Sequence, residues 1–463
     1  MNPPKQPKTP AAAPAPAGRR KLSRVARSVY ATGDFTVNTA LASLSLIYMY
    51  FLVEVAGLRP ALAGLIPLIG RTVDAFTDPL MGRISDHTRW AAGRRRPYFL
   101  IGAIPFGVSF GLLWATPPVA SEAARFAYFT AVYCALSVSI TVLSVPYLAL
   151  QPEMAEDYDD RTSLNTYRNV ASVVGVAAAI AIKPLAEALG GGVEGYAWAG
   201  VLMGVLVAAP WLSVYRVSFE RADFQARPSE LGWREGLEVV LRHRTFRRLM
   251  GFYLCGRVSM DIMGAMLLFY MTYWIGRPDE FETLMGVFLL TAVLSLPIWL
   301  LVATRHEKAT SFIVGTVWWS GSLLLLLFVR PGWPPWTLWL FAPLAGIGFA
   351  AVDLMPWAMV GDVIDEDDLA CGERREGLYN GLFTFLRKLS GALAVFVVMS
   401  VLDLVGFERD GEQGESVVLA IRVLASLVPF SFLVLSAWLA RGYPLTRRRH
   451  GRIIAELRER DAV

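Results

Sequence analysis

The feature that most constrains this chain is a series of long apolar stretches that recurs along almost its whole length. A helix needs about 20 mostly apolar residues to cross a bilayer, and lipid excludes backbone that is not hydrogen-bonded. The stretches lie near residues 29–53, 60–85, 97–116, 124–150, 162–190 and 196–218, and again near 247–275, 281–304, 309–330, 335–365, 373–406 and 416–441. The sequence therefore predicts an all-α membrane protein with twelve transmembrane helices.

The composition supports this prediction and argues against several other classes of protein. Hydrophobic residues make up 55% of the 463 residues and charged residues 18%, whereas soluble domains have about 45–50% and about 25%. The chain has three scattered cysteines, which do not indicate a disulfide framework. Its four histidines lie in polar connections or the tail and do not indicate a buried metal centre. No lysine follows a glycine, so the chain has no Walker A phosphate loop. We therefore expect no enzyme activity.

The positive charges indicate how the chain is oriented. The net charge is +5, but the arginines concentrate in polar segments that alternate with apolar spans, as topology signals do. This distribution is not that of a nucleic-acid-binding patch, and we expect no nucleic-acid partner. The positive-inside rule predicts a multi-pass protein of the inner or plasma membrane with both termini in the cytoplasm.

A polar connector divides the chain into two parts of six helices each. Residues 1–28 are rich in Pro, Ala, Lys and Arg and lack an apolar core, which predicts a disordered basic cytoplasmic arm. The arm is followed by an N-terminal six-helix half at 29–218 and a cytoplasmic connector at 219–246. The chain then continues with a C-terminal six-helix half at 247–441 and a cytoplasmic tail at 442–463.

A short pattern occurs at the junction of the fourth and fifth helices in both halves. Pro146-Tyr147 precedes an acidic run and then Tyr167-Arg168, and about 210 residues later Pro356-Trp357 precedes the acidic run 362–368 and Tyr379-Asn380. Internal repetition is typical of secondary transporters, whose substrate site lies between the halves near the midplane. Chance similarity between charged loops is the alternative.

The second span carries the charged residues Arg71, Asp74 and Asp78 near its middle. The two aspartates are four residues apart, so they share one helix face. A carboxylate at the bilayer centre costs about 2.5–3.5 kcal/mol and normally faces an interior cavity. Two close carboxylates repel each other unless a cation or proton lies between them. We predict a Na⁺ or H⁺ site at Asp74 and Asp78, with Asp34 nearby; the alternative is a fixed ion pair of Arg71 with one aspartate.

Other charges also lie inside predicted spans. Lys388 is about 13 residues, or 20 Å, into its span, so its ammonium does not easily reach water. It could neutralise the aspartates in the empty site and release them when a cation binds. Asp353 suits a substrate site or an interhelical contact equally. Arg257 and Asp261 are four residues apart and predict an ion pair within one helix.

The polar connection between the second and third spans is a candidate gate. Asp86 directly follows the second span, and Arg94 and Arg95 precede the third. Pairing between these charges would hold one conformational state closed, and we include Arg71 as a fourth gating candidate. The alternative is a simple topology signal, which the arginines would also satisfy.

Together these residues resemble the glycoside–pentoside–hexuronide:cation symporters of the major facilitator superfamily, over nearly all of residues 29–441. The resemblance implies two pseudo-symmetric six-helix halves and cation-coupled symport of a sugar, glycoside or related small organic solute by alternating access. The matching motifs are Gly33-Asp34, Arg71-x-x-Asp74-x-x-x-Asp78-Pro79-x-x-Gly82, Pro146-Tyr147, Tyr167-Arg168, Asp362-Val-Ile-Asp365, Arg375-Glu376-Gly377 and Lys388.

The resemblance also implies which residues form each site. For the cation it implies Asp74 and Asp78 with Thr141 nearby, and Thr77 where melibiose permease, typical of the family, has asparagine. For the substrate it implies Asp34 and Arg168 with Lys388 beside both sites. Further substrate candidates are Ser144, which replaces a sugar-binding aspartate of the family, Asp353, and the aromatic residues Tyr147 and Trp357, which could stack on a sugar face.

The sequence leaves the substrate class open. The stretch Leu354-Met-Pro-Trp-Ala-Met is similar to vertebrate lysophosphatidylcholine symporters of the same branch, so an amphiphilic substrate is an alternative to a sugar. An uncoupled facilitator is a further alternative. We expect a small-molecule substrate, a monovalent cation and the lipid bilayer as partners, no cofactor other than the coupling Na⁺ or H⁺, and a monomeric protein.

Overall fold

A computed structural model describes residues 22–90, 92–155, 158–220, 238, 242–372, 375–409 and 413–461. Most of the predicted basic arm and most of the connector lie outside the described residues, as do Glu156 and Asp157 of the first acidic run. Within the described ranges the helices occur as two successive sets of six, followed by one helix in the tail.

The first six helices form the N-terminal half. Helix α1 bends by 50° between its two segments. The helices are α1, Arg24–Leu46 continued by Tyr48–Val55; α2, Pro60–His87; α3, Pro97–Leu113; α4, Glu122–Met154; α5, Tyr158–Ile180 continued by Ile182–Ala188; and α6, Gly192–Ala208 continued by Pro210–Val217.

The second six helices form the C-terminal half, and a thirteenth helix follows it. They are α7, Arg244–Phe269 with a π-helical end at Tyr270–Ile275; α8, Phe281–Arg305; α9, Lys308–Leu326; α10, Trp336–Cys371; α11, Glu376–Leu404; α12, Glu415–Ala425 continued by Leu427–Ala440; and α13, Arg447–Asp461.

Helix α1 begins inside the segment predicted to be a disordered arm. The Ser23 side chain accepts a hydrogen bond from the backbone N–H of Ala26 at 3.1 Å, which caps the first turn. Arg27 then pairs with Asp160 of α5 at 2.5 Å. Residues 24–28 are therefore helical, because both a cap and a partner on a neighbouring helix hold them.

The twelve helices of the two halves agree with the twelve predicted spans. Among the described residues, nine helices are long and apolar enough to cross a bilayer, and the bent α1 makes a tenth. The other two are α3, which is apolar but has 17 residues, and α2, which has 28 residues and carries the charged motif around Asp74.

Glycines allow α3 and α6 to pack closely. A Cβ atom on Gly107 would lie 2.7 Å from the Gly204 carbonyl oxygen, and one on Gly204 would lie 2.5 Å from the Gly107 carbonyl oxygen. Any larger residue at either position would push the helices apart. Small residues at such crossings are typical of membrane helices, whose backbones approach closely in lipid.

The two halves contact each other through α2 and α11, α1 and α7, and α5 and α8. We call the end of the bundle where α1 begins and α12 ends the terminal end. At the opposite end, the Tyr273 hydroxyl donates to Glu54 at 2.5 Å and Lys183 pairs with Glu282 at 3.0 Å. At the terminal end, no hydrogen bond or ion pair between two described side chains joins the halves. The described contacts therefore close the bundle at the opposite end.

Candidate functional site

Asp74 and Asp78 lie one turn apart on α2, and both contact Lys388 of α11. The Lys388 Nζ atom is 2.8 Å from Asp78 Oδ2 and 3.5 Å from Asp74 Oδ2. Arg71 donates to Asp74 Oδ2 at 2.9 Å. Two cationic side chains thus compensate two carboxylates, and one of these cations comes from the other half of the protein.

Further oxygen atoms complete this cluster. Thr141 of α4 donates to Asp78 Oδ1 at 2.6 Å, so three of the four residues predicted for the cation site lie together. Asp74 is 4% exposed, and its Oδ1 atom is buried without a hydrogen-bond partner among the described residues. Such an atom is costly to bury unless a ligand binds it. Thr77 does not join the cluster, because its hydroxyl donates to the carbonyl of Val73 on its own helix.

The cluster has the chemistry that binding of a small cation requires. Carboxylate and hydroxyl oxygens are hard ligands that suit alkali cations, and carboxylates also accept protons. A cation that enters between Asp74 and Asp78 competes with the Lys388 ammonium for the same oxygens. Because Lys388 belongs to α11, the outcome of this competition affects a contact between the halves.

Asp34 and Arg168 form a second charged cluster, inside the N-terminal half. Arg168 donates from Nε to Asp34 Oδ2 at 2.5 Å and from Nη2 to Oδ1 at 3.0 Å. The Tyr147 hydroxyl donates to Asp34 Oδ2 at 2.6 Å, and the Gln151 side chain accepts from Arg168 Nη1. Three predicted substrate residues are therefore joined to each other, with Ser144 half-buried one turn before Tyr147. Sequence reasoning missed Gln151.

A cavity of about 500 Å³ lies mainly in the C-terminal half and is also lined by α1 and α5. Asp353 and Trp357, both predicted to contact substrate, line this large cavity together with Arg257 and Arg387. Methionine, leucine and phenylalanine side chains from α7, α8 and α10 form a large part of the remaining wall, and other apolar side chains form most of the rest. The large cavity is therefore mostly apolar and carries a few charged groups.

Three of the four predicted gating residues lie together at the terminal end. Arg95 pairs with Asp86 at 2.7 Å, and Arg94 and Arg95 both pair with the fully buried Glu153 of α4. All of these residues belong to the N-terminal half, so the cluster ties a loop to two helices of one half. The fourth candidate, Arg71, lies in the cation cluster instead.

Two acidic residues that hold this loop were not identified from the sequence. Besides Glu153, Glu220 after α6 accepts hydrogen bonds at 2.8 Å from the backbone N–H groups of Arg94 and Arg95. The only sequence signal for Glu153 is an acidic residue at the end of a long apolar span. Glu220 gives no signal, because it resembles the other charges of the connector.

The second acidic run binds the tail helix α13. Arg449 pairs with Glu366 at 2.6 Å, His450 with Asp365 at 3.0 Å and Arg460 with Asp368 at 2.8 Å. In the same run, Asp362 pairs with Lys308 of α9. These described contacts join parts of the C-terminal half to one another and to the tail.

Comparison with known proteins places the fold among transporters. The family model described as MFS/sugar transport protein matches residues 29–447. A solved structure of the nucleoside transporter NupG superposes with a TM-score of 0.64 over 90% of this chain and 98% of that chain. At 14% identity this likeness shows the fold alone. The predicted all-α fold of two six-helix halves is confirmed.

Several symporters are similar to this chain over most of their length. The glucuronide carrier protein homolog of Escherichia coli is 28% identical over 94% of this chain and 95% of that protein. The sodium-dependent lysophosphatidylcholine symporter 1 of Gallus gallus is 26% identical over 95% and 91% of the two chains. The inner membrane symporter YicJ of Escherichia coli is 25% identical over 89% and 90%.

Proposed function

The chain belongs to the MFS/sugar transport protein family, and on this premise we propose that it is a secondary active transporter that carries a small organic solute together with Na⁺ or H⁺. The observation that carries the proposal is the contact of Lys388 in one half with Asp74 and Asp78 in the other. Cation occupancy at these carboxylates changes a contact between the halves, which is what coupling by alternating access requires.

Electrostatics explains why cation binding releases Lys388. Arg71 and Lys388 already compensate the charge of Asp74 and Asp78. A further cation beside an unmoved Lys388 would place three positive charges against two negative ones in a poorly solvated site. The bound cation therefore replaces the ammonium, and α2 and α11 lose the two ion pairs that Lys388 forms with Asp74 and Asp78. By linkage, a cation that raises solute affinity is itself bound more tightly when the solute is present.

We assign the terminal end to the cytoplasm. The arginine-rich loop 94–96 and the tail lie at that end, as the positive-inside rule expects for the cytoplasmic side. The contacts of Glu54 with Tyr273 and of Lys183 with Glu282 then close the outer side. In this proposal the protein works as a monomer in the inner or plasma membrane, and the coupling cation is its only inorganic requirement.

A sugar or glycoside is the first substrate class. Asp34 supplies hydrogen-bond acceptors and Arg168 supplies several donors, and a polyol can use both kinds of group. The Tyr147 ring is 2% exposed, with Tyr30 stacked on it and the Arg168 guanidinium over it, so in this structure it offers no open face to a sugar, contrary to the prediction that it stacks on one. Because Asp34 and Arg168 bind each other in this structure, a sugar would have to take over some of their hydrogen bonds. A similar protein is named a glucuronide carrier homolog.

The composition of the large cavity favours an amphiphile as a second substrate class. Its wall is mostly apolar over about 500 Å³, and sugar hydroxyls left unpaired against such a wall are costly. An acyl chain would instead gain about 0.8 kcal/mol for each buried CH₂ group. A similar protein is named a lysophosphatidylcholine symporter.

The proposed coupling is tested with purified protein in sealed proteoliposomes. We expect solute to accumulate above the external concentration only while a Na⁺ or H⁺ gradient is imposed. A sodium ionophore, which dissipates the Na⁺ gradient, and a protonophore, which dissipates the H⁺ gradient, are tested separately. The reagent that abolishes accumulation identifies the coupling ion. Accumulation that survives both ionophores would contradict symport, and equilibration without accumulation would indicate a facilitator.

The two substrate classes are separated by a panel of ligands measured by thermal shift with and without Na⁺. Neutral sugars, glycosides, uronates and lysolipids are the probes. If the large cavity is the solute site, Trp357→Ala should reduce the shift caused by lysolipids several-fold and leave the shift caused by sugars unchanged. If the Asp34 cluster is the solute site, Asp34→Asn should instead remove the shift caused by sugars.

A further inference from the structure

Arg387 is an arginine inside the bundle whose guanidinium has no anionic partner among the described residues. Its Nε atom is buried without a hydrogen-bond partner, and no described carboxylate forms an ion pair with it. The nearby Arg257 differs, because Asp261 accepts from its Nε at 3.0 Å and from its Nη2 at 2.7 Å. That pair confirms the predicted i,i+4 interaction. A guanidinium held inside a protein without a counter-ion is strongly unfavourable, so Arg387 has capacity to bind an anion.

Arg387 lines a second, small cavity of about 110 Å³ that is unusually rich in positive charge. Arg71, Arg257 and Lys388 also line this small cavity, and Asp261 is the only acidic residue among the described residues in its wall. A water molecule occupies about 30 Å³ in the liquid, so the space suits a group of a few heavy atoms.

The small cavity adjoins the large cavity. Arg257, Asp261 and Arg387 contribute to the walls of both. A solute in the large cavity can therefore place one end against Arg387. The large cavity provides apolar surface for the rest of such a solute, and the small cavity provides the charged end of the site.

The charge of the whole cluster also favours an anion. Four cationic side chains, Arg71, Arg257, Arg387 and Lys388, are close to three carboxylates, Asp74, Asp78 and Asp261. Asp353, which lines the large cavity together with Arg257 and Arg387, balances the fourth positive charge. A bound coupling cation would therefore leave one positive charge in excess. An anionic solute would therefore be drawn to this place most strongly when the cation is bound.

We propose that Arg387, assisted by Arg257, binds a carboxylate or phosphate group of the transported solute in the small cavity. The inference rests on the proposed transport function and narrows its substrates to anionic ones. The planar guanidinium can bind two oxygens of such a group side by side, which an ammonium cannot do.

The test compares ligands that differ only in an anionic group. Full-length protein in nanodiscs is titrated with glucuronate or glucose, and with a lysophosphatidate or the monoacylglycerol of the same chain. Hydrogen bonds to charged groups contribute about 1.5–3 kcal/mol, so the anionic member of one pair should bind at least about tenfold more tightly. The pair that shows the difference distinguishes a free carboxylate from a lipid phosphate.

Two variants of Arg387 and one control complete the test. Arg387→Gln should reduce the ratio of the dissociation constant of the neutral ligand to that of the anionic ligand to about one. Arg387→Lys should lower this ratio several-fold, because lysine retains the charge but lacks the planar guanidinium. The control Arg330→Gln removes an exposed arginine between α9 and α10 and should keep the full ratio. If Arg387→Gln does not fold, Arg387→Lys alone gives the answer.

Equal affinity within both pairs, or an unchanged ratio in the Arg387 variants, would overturn the anion site. The result is independent of coupling, which the ionophore experiment measures. A protein that discriminates between charged and neutral ligands but accumulates nothing would refute symport and leave the anion site in place.

Discussion

Replacement of Asp78 by alanine is expected to abolish gradient-driven accumulation of the solute. Asp78 supplies one oxygen to Lys388 at 2.8 Å and the other to Thr141 at 2.6 Å. Its loss removes half of the negative charge available to a cation and leaves Lys388 with Asp74, 3.5 Å away. Lys388 is 21% and Asp78 32% exposed, so this charge pair is only partly buried. A hydrogen bond to a charged group contributes about 1.5–3 kcal/mol, and a loss of that size in cation binding corresponds to a weakening of about tenfold to 100-fold.

The measurement is initial uptake into vesicles under an imposed ion gradient, at equal amounts of inserted protein. Asp78→Asn keeps the size of the side chain without its charge and should fail in the same way as alanine. Thr72→Val serves as the matched control, because Thr72 is exposed on the same helix and, among the described residues, its hydroxyl bonds only the carbonyl of Leu68. Undiminished accumulation by the Asp78 variants would exclude this carboxylate from coupling.

The spacing of residues in the sequence was enough to predict the core of the cation cluster. Residues four apart lie on the same helix face, so Asp74 and Asp78 were expected to act together, with Arg71 beside them. The position of Lys388 deep in a span predicted that its ammonium needs a partner inside the protein. Thr141 was assigned by resemblance alone, because one hydroxyl on a different helix leaves no periodic signal.

Contacts between helices that are distant in sequence could not be predicted in the same way. Glu153 and Gln151 sit at the end of α4, where the sequence shows only polar residues that follow an apolar span. Their partners, Arg95 and Arg168, belong to other helices or loops. The chain offers many charges of suitable sign at the ends of its spans, and only the packing of the helices selects among them.

Arg387 and Lys388 illustrate this limit most clearly. Successive residues of an α-helix point about 100° apart, since one turn contains 3.6 residues. Two cationic residues that are adjacent in the sequence therefore face different parts of the protein. Lys388 reaches Asp78 of α2, whereas Arg387 lines both cavities and forms no ion pair with any carboxylate that the structure describes. Both residues lie within the predicted span 373–406, and the packed structure separates their roles.

The second large effect is expected for Arg168→Ala. Asp34 is 15% exposed and depends on Arg168 for two hydrogen bonds, at 2.5 and 3.0 Å. Without Arg168 a carboxylate remains inside the helix bundle with only the Tyr147 hydroxyl, which should cost about 3–5 kcal/mol of stability and abolish transport. Arg168→Lys should not restore stability fully, because one ammonium cannot reproduce the paired bonds to Asp34 and the bond to Gln151. Thermal unfolding in detergent measures the loss.

The double variant Asp34→Asn/Arg168→Ala separates a structural role of this pair from a role in solute binding. Because the unpaired carboxylate is gone, the double variant should recover most of the thermal stability that Arg168→Ala loses. Transport should remain absent if both side chains bind the solute. Arg59→Ala breaks an exposed pair with Glu122 and is the control, with an expected change below about 1 kcal/mol. Recovery of transport together with stability would mean that Asp34 and Arg168 only hold α1 against α5, and the solute would then have to bind in the large cavity.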